Sequence, residues 1–359
     1  MSMTISKRKS EHIKICLEKK VELGSTRFNE VNFKDIDLIH SALPDVNLKD
    51  IDVSCSFLGK ELKAPLIISG MTGGTHEAEK INKNLAKAAQ ECGIAMGVGS
   101  QRAAIEDSSL EKTYQVREVA PDILLIANLG IIQFIEEYTI REAEKAIDMI
   151  DADALALHLN PLQEICQSEE GNVNWKNCLK KIEEICRILD KPVIAKEVGA
   201  GISKEIGIAL EKAGVSAIDI SGLGGTSWSL VEMYRNPDSI KSLIDWGIPT
   251  AISLIEVVSN VKIPVIASGG IRNGKEIAKS LALGAEIVGI ALPFLEPATK
   301  NSDKVKEKIN SLVKELKAVM FLVGAENLKE LKRKPIVITG KTKEWLEARG
   351  IDVKAFALR

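Results

Sequence analysis

The sequence predicts an α/β chain folded as a (β/α)8 barrel with an N-terminal extension and a C-terminal tail. Two observations carry this. Eight short apolar, β-branched runs alternate with amphipathic helical stretches, and most of the runs follow a Pro or Gly turn signal, at Pro65, Gly93, Pro121, Pro192, Gly214 and Pro264. Strands alternating with helices are βαβ units and build a parallel sheet; eight in succession favour closure into a barrel, with an open doubly wound sheet as the alternative.

Residues 1–64 read as a basic start, a helix over Ser10–Lys20 and short strands within Val46–Gly59. Residues 65–322 hold the barrel. Its strands fall at Leu66–Ser69, Ala95–Val98, Leu124–Asn128, Ala154–His158, Val193–Glu197, Ala217–Ser221, Val265–Ser268 and Ile287–Ala291. Helical periodicity fills Ala78–Glu91, Arg141–Ile150, Trp175–Leu189, Lys204–Lys212 and Gly274–Leu283, and Asp303–Leu322 reads as the last barrel helix. The fifth and sixth strands start 24 residues apart, the seventh and eighth 22, but the sixth and seventh 48. The surplus, Gly222–Trp246, precedes a helix-like stretch at Pro249–Val258. A long insertion after a barrel strand is where active-site covers sit. Residues 323–359 read as a tail packed on the barrel, with Trp345 in a helical turn.

The 359 residues carry 48 Lys plus Arg against 50 Asp plus Glu, a formal charge of −2, which argues against a nucleic-acid or membrane-surface binder. At 45% hydrophobic and 4% aromatic, the core must be mostly Ile, Leu, Val and Ala. The longest apolar runs, Ile123–Ala127 and Ile287–Leu292, are far short of a membrane span, and Met1–Ser10 shows no apolar signal region. A cytoplasmic protein is expected. Cys16, Cys55, Cys92, Cys166, Cys178 and Cys186 form no CxxC pair and no zinc spacing; reduced thiols are expected, a disulfide being the alternative.

Chemistry gathers at barrel strand C-termini, and here those ends are polar and glycine-rich. In order they read Ser69-Gly70-Met71-Thr72-Gly73-Gly74, Gly97-Val98-Gly99-Ser100-Gln101-Arg102, Ala127-Asn128-Leu129-Gly130, His158-Leu159-Asn160-Pro161-Leu162-Gln163-Glu164, Lys196-Glu197-Val198-Gly199, Ser221-Gly222-Leu223-Gly224-Gly225-Thr226, Ser268-Gly269-Gly270-Ile271-Arg272 and Gly289-Ile290-Ala291-Leu292. The loop Gly269-Gly270-Ile271-Arg272 opens a helix and suits a phosphate, with Ser221 and Thr226 as neighbouring donors; a plain turn with a surface Arg is the alternative. Lys196 at the end of an apolar strand is costly unless paired or used. Three roles are open to it: pairing with a carboxylate, forming a Schiff base, or holding negative charge on a flavin beside Asn128 and Thr72. Glu164 fits the sparse carboxylate ligation of Mg2+, or else balances a helix dipole. The other histidines, His12, His40 and His76, lie too far along the chain to make His158 part of a metal cluster. Within residues 1–20 there are six Lys/Arg and two Asp/Glu. They form either a solvated tail or a flap that supplies Arg8 and Lys9 to a doubly charged anion, with Arg102 as a second clamp.

Taken in order, Arg8-Lys9-x-x-His12, Met71-Thr72-Gly73-Gly74, Gly99-Ser100-Gln101-Arg102, Ala127-Asn128-x-Gly130, His158-x-Asn160-x-x-Gln163-Glu164, Lys196-Glu197-x-Gly199, Gly222-x-Gly224-Gly225-Thr226-x-Trp228-x-x-x-Glu232 and Ser268-Gly269-Gly270-Ile271-Arg272 resemble the FMN-dependent type 2 isopentenyl-diphosphate isomerases. The resemblance runs from about residue 7 to Trp345 and Arg349-Gly350 in the tail. It implies that FMN lies across Gly70, Met71, Thr72, Ser100, Asn128, Lys196, Ser221, Thr226, Gly270, Ile271, Arg272, Ala291 and Leu292. The substrate diphosphate would meet Arg8, Lys9, Ser100, Gln101, Arg102, His158, Asn160 and Gln163, and Mg2+ would sit on Glu164. Catalytic roles would fall to Gln163, Lys196 and Glu232. NADPH would reduce the flavin without being consumed in proportion to product, and the chain would act as a homo-oligomer, a tetramer or octamer. The reaction implied moves the double bond of isopentenyl diphosphate to give dimethylallyl diphosphate. Protonating such an alkene makes a tertiary cation, which needs an electron-rich face in a dry site; a reduced flavin supplies one.

Two other readings fit a barrel of this kind. A 2-hydroxy-acid oxidase or dehydrogenase would resemble it in using FMN, but that family carries His and Arg in the loop after the sixth strand, where this chain has Leu223 and Thr226. A flavin-free lyase would use Lys196 as a Schiff base.

Overall fold

The computed structural model describes residues 5–22, 33–167, 171–236 and 238–359. Eight parallel strands close into a barrel: β1 (Leu66–Ile68), β2 (Ala95–Gly97), β3 (Leu125–Gly130), β4 (Ala154–Leu159), β5 (Val193–Glu197), β6 (Ala217–Asp219), β7 (Val265–Ser268) and β8 (Ile287–Ile290). Each strand pairs with its sequence neighbours, and β8 returns to β1 through Gly289 opposite Ile67. The open doubly wound sheet is thereby excluded.

The helices include α1 (Ile5–Glu18), α2 (His76–Cys92), α3 (Ile140–Ile150), α4 (Pro161–Cys166), α5 (Cys178–Ile188), α6 (Lys204–Lys212), α7 (Trp228–Arg235), α8 (Thr250–Val258), α9 (Gly274–Leu283), α10 (Ser302–Leu322) and α11 (Gly340–Ala348). Their ends follow sequence signals. Thr75 caps α2 by accepting from the Ala78 amide, and Gly93 closes it in the left-handed conformation. Thr139 and Glu142 form a reciprocal capping box on α3. The insertion between β6 and β7 folds as α7 and a short 3-10 turn, Lys241–Leu243, ahead of α8.

Strand residues alternate between two cores. Leu66, Ile68, Leu125, Ala127, Leu155, Leu157 and Ala195 face the helices. Ile67, Ala95, Ile126, Ala156, Ile194, Ala217, Ile266 and Ile287 fill the barrel interior. The interior is plugged from below by Phe57 and Leu62 of the hairpin Cys55–Phe57/Lys60–Leu62, whose turn places Leu58 and Gly59 at positive φ.

The sequence reading differs outside the barrel. Strands were expected within Val46–Gly59; the structure has the hairpin just described and a separate strand, Ile36–Leu38, that pairs antiparallel with Ile336–Ile338 of the tail. The N-terminal helix begins earlier than Ser10 and stops at Glu18. All six cysteines are free.

Candidate active site

Two residues past each apolar interior position, the same face of the same strand turns polar or small. The set is Ser69, Gly97, Asn128, His158, Lys196, Asp219, Ser268 and Gly289. Six of them line the floor of one cavity at the C-terminal end of the barrel, and Gly97 and Asp219 line a small pocket among the interior side chains. The rim comes from α1 (Arg8, Lys9, His12), from Arg102 and from Asn160, Gln163 and Glu164 at the start of α4. The glycines of the floor and rim are required by close approach. A Cβ on Gly99 would stand 2.6 Å from the backbone of Thr72, and one on Gly225 would stand 2.5 Å from the Gly270 nitrogen.

Lys196 donates to Asp219 Oδ2 at 2.7 Å, and Asp219 Oδ1 accepts from Ser268 Oγ. Of the three roles open to Lys196, pairing is therefore observed. An ammonium donating to a buried carboxylate has no lone pair for carbonyl attack, which argues against the Schiff base. It remains compatible with a charged neighbour on the cavity side.

Asn128 donates its amide to Val98 O at 3.0 Å, which turns its Oδ1 toward His158 Nδ1 at 2.9 Å. That fixes the tautomer: Nδ1 carries the hydrogen and Nε2 presents a lone pair. Burial, then Lys9 and Lys196, hold the imidazole down at about 3, so it is neutral. Lys9 donates to Ser100 O at 3.3 Å; burial, then Arg8 and Arg102, lower it to about 7. Arg8 donates to Gln167 Oε1 at 2.8 Å.

Glu232 on α7 is fully buried. Its Oε1 lies 3.0 Å from His12 Nε2 and accepts from Gln163 Nε2 at 3.1 Å, while Oε2 pairs with Arg235 at 2.5 Å. Burial opposes its charge, but these partners hold it down at about 2. His12 in turn meets the Trp228 ring edge-on at 5.2 Å. Glu164 Oε1 accepts from Asn160 at 2.8 Å and its Oε2 from the Asn172 amide at 2.9 Å. One lone pair on each oxygen is left for a cation. Among the described residues no group of three or more His, Cys, Asp or Glu could hold a metal. A cation there would rest on one carboxylate.

Most residues expected in the site line this cavity: Gly70, Met71, Thr72, Ser100, Asn128, Lys196, Ser221, Thr226, Gly270, Arg272, Ala291 and Leu292 on the cofactor side, and Arg8, Lys9, Arg102, His158, Asn160, Gln163 and Glu164 beside them. Three do not face it. Gln101 is turned into the protein, where it accepts from the Asn128 amide and donates to Ala146 O. Ile271 lies in the helix-facing core. Glu232 reaches the cavity only through His12 and Gln163.

Part of the expected anion loop already has partners. The start of α9 is already filled by carboxylates: Glu276 accepts from the Arg272 amide and Glu315 from the Gly274 amide, both at 2.7 Å. The helix Leu292–Lys300 after β8 begins at Ala291 without a side-chain cap. Pro293 has no N–H and the Phe294 amide donates to Ala291 O at 2.9 Å, so the backbone of Gly270 and the side chain of Arg272 stay beside the cavity as the candidate anion donors. The buried Ser69 and Thr72 hydroxyls lack partners, as befits groups awaiting a polar ligand. The cradle of backbone amides, orphaned hydroxyls and a paired Lys fits a flavin mononucleotide.

The comparisons with known proteins agree with this geometry. A family model described as FMN-dependent dehydrogenase matches residues 5–122 and 134–338. The chain is 50% identical over 362 residues to the isopentenyl-diphosphate delta-isomerase of Pyrococcus furiosus, covering 97% of this chain and 90% of that one. It is 49% identical over 367 residues to the enzyme of the same name from Methanosarcina mazei, covering 100% and 99%. The chain belongs to the isopentenyl-diphosphate delta-isomerase family. Among solved structures, mandelate oxidase with 3,3-difluoro-2-hydroxy-3-phenylpropionic acid superposes with a TM-score of 0.63 at 17% identity over 92% of this chain and 95% of that one. At that identity the likeness shows the shared barrel alone. Family membership and the cavity meet at Leu223, which is buried, and Thr226: the His and Arg expected of a 2-hydroxy-acid oxidase are not in this loop.

Sequence reasoning missed several participants. Asp219 is hidden inside the apolar run Ala217–Ser221; interior parity with Ala217 would have exposed it. Gln133, nine-tenths buried with its carbonyl oxygen unpartnered, lines the cavity without belonging to any motif. His12 and Trp228 stand in the recognised motifs, but no role had been attached to them.

Proposed function

We propose that this chain converts isopentenyl diphosphate to dimethylallyl diphosphate over FMN, with Mg2+ on the diphosphate. One observation carries the reading: a barrel floor of paired or neutral polar groups lies in the same cavity as a rim of three basic side chains, Arg8, Lys9 and Arg102. A hydrocarbon end and a polyanionic end are thus served by one cavity.

The reduced cofactor, when bound, supplies an electron-rich face and an exchangeable proton. The chain does the rest. Arg8, Lys9 and Arg102 bind the diphosphate, with Ser100, His158 and Asn160 around it, and Glu164 supplies the one protein carboxylate to Mg2+, whose shell is completed by water and phosphate oxygens. Lys196, paired with Asp219, keeps a positive charge at the floor that favours an anionic neighbour. Gln163 stands between floor and rim. Glu232 works through it as a positioning residue, because a carboxylate held at about 2 stays ionised and fixes the Gln163 amide. NADPH is the proposed reductant. A cytoplasmic homo-oligomer, tetrameric or octameric, belongs to the same reading. It draws support from exposed apolar side chains such as Leu43, Trp246 and Leu358; among the described residues no helix is long and apolar enough to cross a membrane.

The test is redox balance. Substrate and product are isomers, so no net electrons move. Protein loaded with oxidised FMN should be inert. A substoichiometric amount of NADPH or dithionite under anaerobic conditions should start many turnovers, with solvent deuterium entering the product. NADPH disappearing in proportion to product, or flavin reduction by a 2-hydroxy acid, would overturn the assignment.

A further inference from the structure

Arg272, at the cofactor end of the cavity, is not held by the barrel alone. Its Nε donates to Glu22 Oε1 at 2.8 Å and its Nη2 pairs with the same oxygen, while Nη1 donates to the carbonyl of Ile271 at 2.9 Å. Glu22 lies just beyond α1, in the segment that carries Arg8, Lys9 and His12. The same stretch is sewn to the insertion after β6. Glu22 bridges Thr226 in antiparallel fashion, Ser227 N donates to Val21 O at 2.9 Å, and the Tyr234 hydroxyl donates to Lys20 O at 3.2 Å. A guanidinium has five N–H groups, and Glu22 and Ile271 take three. Among the described residues the others have no partner, which leaves them to take an anion while Glu22 keeps its place.

One arginine therefore faces both halves of the site. An anion on Arg272 immobilises its head, which holds Glu22, which anchors the segment that ends in the diphosphate clamp. A diphosphate on Arg8 and Lys9 pulls the same segment down and steadies Arg272 in return. Such linkage is reciprocal by thermodynamic necessity.

We propose that the Glu22–Arg272 pair couples the cofactor-phosphate loop to the N-terminal diphosphate clamp, so that flavin and diphosphate bind cooperatively. The inference rests on the flavin and diphosphate assignments above, and its test separates from theirs. Oxidised FMN is titrated into the full chain by quenching of flavin fluorescence, with and without saturating inorganic pyrophosphate and Mg2+; nothing turns over under these conditions. Pyrophosphate should lower the FMN dissociation constant by about fivefold or more. In Glu22→Gln each ligand should still bind alone, but that ratio should fall close to one. Glu11→Gln, which removes another ion pair of the same segment, Glu11–Arg235, should keep the parental ratio. Glu22 is 40% exposed at its side chain, and matching melting curves check that its variant folds. A parental ratio of one, a ratio retained in Glu22→Gln, or an equal loss in Glu11→Gln would each overturn the coupling. Failure of FMN to bind the parent chain would overturn the flavin assignment itself, and the coupling with it.

Discussion

Lys9 is a lysine that folding makes reluctant to be charged. Burial and the neighbouring Arg8 and Arg102 bring it to about 7, below its ordinary value, so in the free protein it loses its proton as pH rises through neutrality. A diphosphate needs the charged form and restores it. Above pH 7 binding must therefore take up a proton, and affinity should weaken as pH rises, by up to about tenfold per unit. Calorimetric titration of pyrophosphate across pH 6–9 would show it, and Lys9→Arg should flatten the slope because guanidinium stays charged. A flat parental profile would remove Lys9 from the clamp. His158 contributes no such slope: held at about 3, it is neutral throughout that range. Glu164 makes a second residue-level prediction. Glu164→Gln should raise the Mg2+ requirement and weaken diphosphate binding by about 2 kcal/mol or more, leaving FMN bound. An unchanged Mg2+ dependence would take Glu164 out of the metal site.

The elements around the site divide into those that shape it and those that hold it. The loop Gly269–Arg272 shapes it. Gly269 and Gly270 sit at φ of 103° and 78°, and a side chain on Gly270 would collide with the backbone of Gly224. The double variant Gly270→Val, Arg272→Ala should lose flavin on purification; equal FMN affinity would contradict the loop's role. The tail holds the barrel. Glu256 on α8 is buried and accepts from Trp345 Nε1 at 2.9 Å and Arg349 Nε at 3.0 Å, both on or next to α11. Arg349→Met should destabilise the fold by roughly 1 kcal/mol, since it strips a partly solvated charge partner from a carboxylate that keeps Trp345 and the Lys204 amide, and thermal melting would measure it. The barrel strands were legible because each is an apolar run between turn signals. The strand Ile36–Leu38 was not, because three residues carry no period and its partner, Ile336–Ile338, lies at the other end of the chain. Motif proximity likewise misplaced Gln101. It shares a loop with Ser100 and Arg102, but the chain turns its side chain inward, and only the backbone shows that.

At the scale of the whole molecule, the barrel interior is a gradient. Hydrophobic side chains fill its lower layers, and the uppermost layer replaces them with Asn128, His158, Lys196, Asp219 and Ser268. Sequence periodicity is enough to find the gradient, but not the pairing within it: which of several polar neighbours meets Lys196 depends on strand stagger. This layer costs stability, because ions buried in a barrel core exchange good hydration for a few fixed partners. Lys196→Met alone leaves Asp219 buried without its ammonium and should lower the melting temperature. Adding Asp219→Leu removes the stranded carboxylate, so the double variant should recover the loss and can exceed the parent. Neither variant should retain FMN. Melting curves taken without added flavin, beside the flavin content of each purified protein, decide the matter. If the double variant melted below the Lys196→Met single variant, the pair would be a net prop of the barrel. If it kept its flavin, the charged layer would not be what the cofactor requires.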